Sequence, residues 1–269
     1  MKNNIQLNKV TQIIKVIEMI DTHIHADART GEDFNKMYLS GIDVAVTCAY
    51  YPYKIDNDTI LLNHLMRILN YDTKRASEHG IELKVALGIH PTNTNVDGKL
   101  IYENLYKWIE NKNIVAIGEI GLENLTEKEY EIFKKQLDIA QETKTNVIIH
   151  TPRKNKSAVL DEILEILPQH ISAEYVVIDH INQNVIEKAI ETDYTLGLTV
   201  QPKKLDKYEA INILDNYGFD KFLLNSDISN QPSDPLSVPK TIRELTRQGF
   251  KKQEIDKIAF KNAEKFFNL

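Results

Sequence analysis

Residues 146–180 read NVIIHTPRKNKSAVLDEILEILPQHISAEYVVIDH. The stretch opens on a β-branched run, NVIIH, and closes on another, EYVVIDH. Between them KSAVLDEILEILPQ repeats its apolar residues at intervals of three and four, the period of an amphipathic helix. Strand, helical crossover and strand make one unit of a parallel sheet. The alternation continues outward on both sides. Upstream lie VIEMIDTHIH near residue 16, DVAVTCAY near 43, ELKVALGIH near 82 and NIVAIGEIG near 113; downstream lie YTLGLTV near 194 and KFLLNSD near 221. Eight strand and helix pairs in about 250 residues match an α/β fold of the (β/α)8 TIM barrel type. An open doubly wound sheet would carry a glycine-rich phosphate turn after its first strand, whereas HADARTGEDF follows here. No Pro-, Gly- or Ser-rich linker divides the chain. The reading is therefore a single domain over 1–269 with the barrel at about 16–250, a short N-terminal extension over 1–15, and an extra C-terminal helix in KKQEIDKIAFKNAEKFF packed on the outside.

Composition narrows the class. With 42% hydrophobic and 27% charged residues, the 269-residue chain excludes disordered, collagen-like and coiled-coil classes. A formal charge of −6 argues against a broadly basic surface that would hold nucleic acid by charge alone. One cysteine, Cys48, excludes an intramolecular disulfide and fits a reducing compartment; inside VAVTCAY it reads as a buried apolar filler. Lys9, Lys15 and Glu18 interrupt any signal-peptide pattern, and no apolar run approaches the ~18 residues of a membrane span. The expectation is a cytoplasmic protein, away from membranes and with no obligate protein partner.

The histidines and acids fall where a barrel builds its active site, at the C-terminal ends of strands. His23 and His25, two apart, share one face of the first strand. Glu119 ends the fourth, His150 the fifth, His180 the sixth and Asp227 the eighth, so six residues spread over about 200 positions converge on one mouth. Neutral imidazoles and carboxylates are ligands for divalent zinc, manganese or iron, and a carboxylate such as Glu119 can bridge two ions about 3.5–4 Å apart. Asp227 is then placed to ligate one ion and to orient or deprotonate the attacking water, which makes Asp227 and Glu119 the candidate catalytic acids.

The motifs IDTHIHAD, GIHPTN, AIGEIGLE, IIHTPR, VIDHIN and LLNSD, spanning about residues 19–265, resemble the TatD-type metal-dependent hydrolases of the amidohydrolase superfamily. HTPRKNK after the fifth strand and ISNQPSDPLSVPKT after the eighth look more like a subgroup of predicted metal-dependent TIM-barrel hydrolases. The resemblance implies that His23, His25, Glu119 and Asp227 hold one metal, and that Glu119, His150 and His180 hold the second. Imidazole-rich ligation favours zinc or manganese, while the resembling nucleases point to magnesium. The expected activity is that of a binuclear hydrolase acting on a phosphodiester or phosphoester, of small-molecule or nucleic-acid type. An amide, lactone or ester substrate and a non-catalytic metal-binding barrel are the alternatives.

Around this set, His90 is a candidate for substrate binding or proton relay, with a supporting hydrogen bond as the other reading. Arg153, on the loop after His150, is a candidate substrate ligand through its bidentate fork. Asp21 should point inward, either as an acid supporting the site or as a polar partner in the barrel core. Asp27 and Glu123 read as solvated loop acids, and Lys154, Lys156, Lys203 and Lys204 as solvated loop charges. Tyr50, Tyr51 and Tyr53 read as a self-packed aromatic loop, and Asp234 as a helix cap.

Overall fold

The computed structural model describes residues 19–49 and 53–269. Tyr50, Tyr51 and the extension over 1–15 lie outside the described residues. Eight strands form one parallel sheet in sequence order: β1 Met19–Ile24, β2 Ile42–Cys48, β3 Glu82–Ala86, β4 Ile114–Gly121, β5 Asn146–His150, β6 Val176–Ile178, β7 Thr195–Thr199 and β8 Phe222–Asn225. A helix follows each: α1 Gly31–Leu39, α2 Asp58–Arg67, α3 Lys99–Trp108, α4 Glu127–Thr143, α5 Lys156–His170, α6 Ile186–Ile190, α7 Lys207–Tyr217 and α8 Ser237–Gln248. Strands covered on both faces need continuous apolar runs, which explains why the sequence spells them so plainly.

The barrel closes between β8 and β1, and it closes at the mouth. Ile24 bridges Ile228 in parallel. Asp227 N donates to His23 O at 2.9 Å and His25 N to Ile228 O at 2.8 Å. Deeper in the seam side chains take over from the backbone ladder. Ser226 donates to Asp21 from its amide (3.0 Å) and its hydroxyl (2.5 Å), and Thr22 Oγ1 donates to Leu224 O at 3.1 Å. Asp21 is fully buried, and burial lifts its pKa to about 7 against the pull of the Ser226 hydrogen bonds. Asp21 is thus a core partner that fixes Ser226, one residue before Asp227.

Two elements differ from their sequence reading. The third strand stops at Ala86, four residues before His90, because the amide and carbonyl of Ile89 leave the ladder for the buried Gln136 of α4, at 2.7 and 3.2 Å. The C-terminal segment is helical over Lys252–Asp256, passes through a π-helical turn at Lys257–Lys261, and continues over Asn262–Phe267. It is tied to the N-terminal ends of strands: Asn262 Nδ2 donates to Phe222 O at 2.8 Å, and Asn146 Nδ2 donates to Phe266 O at 2.7 Å. Its place is the end of the barrel opposite the mouth. Among the described residues no helix is long and apolar enough to cross a membrane.

Candidate metal centre

Glu119 stands at the middle of the mouth, with its side chain 2% exposed. Its Oε1 faces His150 Nδ1 at 2.6 Å and His180 Nε2 at 2.9 Å. Its Oε2 faces His23 Nε2 at 3.4 Å and His25 Nε2 at 4.0 Å, and His25 Nε2 in turn meets Asp227 Oδ1 at 2.9 Å. All six residues expected at strand ends are brought together, divided into two groups by the two oxygens of one carboxylate. Burial alone would raise the pKa of Glu119, but His23, His150 and His180 hold it well below the carboxylate range, so it stays an anion. His180 and Asp227 have φ of +62° and +45°, a left-handed backbone that non-glycine residues seldom adopt. Non-glycine residues held in that region are concentrated at functional sites.

Hydrogen bonds to the far ring nitrogens set which atom of His23 and of His25 is available. His23 Nδ1 donates to Asp179 Oδ2 (2.5 Å) and His25 Nδ1 to Cys48 O (3.1 Å), while His180 Nδ1 lies between the Thr199 hydroxyl (2.7 Å) and the Lys204 ammonium (3.1 Å). A ring that donates from Nδ1 carries its lone pair on Nε2. When neutral, His23 and His25 therefore turn their Nε2 lone pairs into the cluster, the arrangement found around protein-bound metals. His23 Nε2 is buried without a hydrogen-bond partner, which a ligated ion would satisfy. His150 is turned the other way: Nδ1 faces Glu119, and Nε2 donates to Glu123 Oε2 at 2.8 Å. The donor set fits divalent ions. Close groupings of potential ligand atoms include His23, His25 and Glu119, and also His90, Glu119 and His150.

His90 lines the same cleft but differs from the other rings. Its Nδ1 accepts from Thr92 N at 3.1 Å, so the proton sits on Nε2, which faces Glu119 Oε2 at 3.5 Å. Burial lowers its pKa and keeps it neutral, partly opposed by Glu119. This ring offers the cleft a proton rather than a lone pair.

Several residues read from sequence as solvated belong to the site or to its supports. Glu123 is only 30% exposed and holds His150, and its loop is fixed by the buried Glu129, which accepts from the amides of Glu123 and Asn124 at 2.8 Å. Asp27 is 2% exposed and pairs with His64 at 2.9 Å, because the turn after β1 folds it back under α2. Lys204 is 10% exposed, with Nζ on Asp227 Oδ2 and 3.1 Å from His180 Nδ1. Lys156 donates to Thr151 Oγ1 at 2.6 Å, and burial, helped by Lys204, pushes its amine down to about 7. Lys154 and Lys203 are exposed as expected. Arg153 lines the cleft and donates to Gln201 Oε1 at 2.7 Å. Asp234 pairs with Lys240 at 2.5 Å and accepts from Leu236 N at 3.0 Å, apart from the cluster. Cys48 is buried, and Tyr53 lies exposed on the surface.

Sequence reasoning missed Asp179 altogether. Fully enclosed at the end of β6, it accepts from His23, from His180 N (2.9 Å), from Asn225 Nδ2 (2.8 Å) and from Thr199 Oγ1 (3.5 Å). It thereby braces His23 directly and His180 through Thr199. Burial would raise its pKa, but the neighbouring histidines hold it well below the carboxylate range. The available signal was an acid adjoining a candidate ligand histidine on a strand buried on both faces. Room for it comes from Gly197 on β7, where a Cβ would collide with Asp179 Oδ1. Gly197→Ala is expected to lower stability by about 1–3 kcal/mol, as overpacking of a tight core does, and to be measured by urea unfolding. An unchanged midpoint would show that Asp179 has room to shift.

The cleft so formed encloses about 320 Å³ between His25, His90, Glu119, His150, Arg153, Lys204 and Asp227. A family model for TatD related DNase matches residues 20–268. The chain belongs to the TatD family of metal-dependent hydrolases. This TatD-like chain is 41% identical over 253 residues to an uncharacterized metal-dependent hydrolase of Methanocaldococcus jannaschii, covering 93% of this chain and 100% of the relative. A second uncharacterized metal-dependent hydrolase of that organism is 28% identical over 192 residues, covering 68% and 75%. Among solved structures, a TatD-like protein from Archaeoglobus fulgidus superposes with a TM-score of 0.78 at 30% identity, covering 93% of this chain and 100% of that one. A phosphotriesterase homology protein from Escherichia coli, solved with phosphate in its active site, shares the fold at 16% identity (TM-score 0.67, 94% and 99% covered).

Proposed function

We propose that this TatD-like protein is a binuclear hydrolase of phosphoesters, with a phosphodiester, of small-molecule or nucleic-acid type, as the favoured substrate. The observation that carries the proposal is the division of ligand atoms about Glu119. One group is His23, His25 and Asp227 with Oε2; the other is His150 and His180 with Oε1. Four imidazoles favour zinc or manganese over magnesium. Two divalent ions there would supply a water activated at neutral pH and a clamp on the phosphoryl oxygens.

The chain's own residues supply the rest. Burial would raise Asp227, but Lys204 and the neighbouring His25 hold it well below the carboxylate range. It is a lasting anion, placed to orient the attacking water and take its proton. His90 Nε2 can donate to an oxygen of the substrate. Arg153 and Lys204 give the cleft wall two cations, which suits an anionic ester better than a neutral lactone or amide. The single buried cysteine fits a cytoplasmic place for this chemistry.

Elemental analysis after reconstitution with zinc, manganese or magnesium is expected to find about two ions per chain. A panel of bis(p-nitrophenyl) phosphate, a phosphomonoester, a lactone and an amide then tests the substrate class. Arg153→Ala should raise KM on the phosphoesters several-fold and leave metal content unchanged. Turnover confined to the lactone or amide would replace the phosphoester reading, and absence of metal after reconstitution would remove the binuclear one.

A further inference from the structure

Among the described residues, Lys204 is the ammonium group in contact with atoms of the ligand cluster. It sits five residues past the end of β7, in a turn where Gln201 N donates to Leu205 O at 3.0 Å and Lys204 N to Gln201 O at 2.9 Å. The turn brings the side chain back over the mouth. Asp227 is held from both sides: Oδ1 faces His25 Nε2 at 2.9 Å and Oδ2 accepts from Lys204. His180 Nδ1 also has two neighbours, Thr199 Oγ1 at 2.7 Å and Lys204 Nζ at 3.1 Å.

We infer that Lys204 is an internal counter-cation of the ligand cluster, which braces Asp227 while holding the affinity for divalent ions below what the ligand set alone would give. The inference rests on the binuclear reading above and names how that site is regulated. Two of its effects oppose metal binding. The ammonium shares a carboxylate with the ligand group and is largely shielded from water, so its repulsion of a doubly charged ion is weakly screened. An ammonium directed at His180 Nδ1 also favours the tautomer with the proton on Nε2, which cannot ligate, whereas Thr199 favours the one that can. One effect aids binding: the hydrogen bond that keeps Asp227 Oδ1 turned toward the cluster. A single hydrogen bond to a charged group is the smaller of these contributions. The balance is a site whose ions exchange more readily than four histidines and two acids would otherwise allow.

The test compares wild type with Lys204→Met, Lys204→Gln and Lys204→Arg, each stripped with chelator and titrated with zinc and with manganese against a competing chelator. Met and Gln are expected to tighten binding by at least about tenfold, equivalent to about 1.4 kcal/mol. Arg, which keeps the charge, should stay near wild type. A second readout is the thermal midpoint of the chelated proteins, which should fall in Met and Gln, since removing one member of a buried charge pair leaves the other uncompensated. Unchanged or weaker affinity in both Met and Gln would overturn the inference and leave the binuclear reading standing. Absence of metal binding in every protein, wild type included, would overturn both. Gln keeps the experiment decisive if Met fails to fold.

Discussion

Asp227→Asn is expected to lower kcat by about 10²–10⁴-fold on any phosphoester that the wild type turns over, with a much smaller change in KM. The amide preserves size and can still accept from Lys204. It loses the charge that faces His25 and that would bind an ion and take a proton from water. Asp234→Asn is the matched control, an acid seven residues on whose contacts are Lys240 and the Leu236 amide. It should leave kcat within about twofold, as exposed substitutions away from a site do. If Asp234→Asn abolished turnover while Asp227→Asn did not, the assignment of the eighth-strand acid would be reversed.

Asp179→Asn is expected to weaken metal binding by about 10–100-fold, the usual cost of removing a partner that orients ligand histidines. Asp179 receives four donors, two of which set the orientation of His23 and of the Thr199 hydroxyl that His180 uses. An asparagine presents one acceptor and one donor where two acceptors stood, so one of those donors is left facing an NH2 group. Chelator competition measures the loss, and far-UV circular dichroism separates it from unfolding. Wild-type affinity in a folded Asp179→Asn protein would mean that the histidines are oriented by packing alone.

The barrel was legible because its strands are largely buried and spell themselves as short, mostly apolar β-branched runs. The six central positions could be placed for a related reason: a side chain at a strand's end has its position set by the strand, and strand ends can be found from the run. What could not be read were groups whose place depends on a loop's path. Glu123 and Lys204 look like ordinary loop charges in sequence, and only the Glu129 carboxylate and the turn at Gln201 bring them inward. Asp27 faces His64, 37 positions away, across an interface that no periodicity encodes. Asp179 adjoins a conspicuous histidine, yet its worth lies in β1 and β7, the strands it touches. His90 could be read either way until Thr92 showed which of its nitrogens accepts.

The seam between β8 and β1 joins Asp21 to Ser226, residues 205 positions apart. His23 and His25 stand on one side of it and Asp227 on the other, so any ion held between them would tie the first strand to the last. Such an ion would act as a clasp on the ring. Its binding energy would add to the energy that keeps the barrel shut, as binding to the folded form alone does. A growing chain would have to reach its eighth strand before it could make that clasp, since nothing earlier in the sequence completes the group.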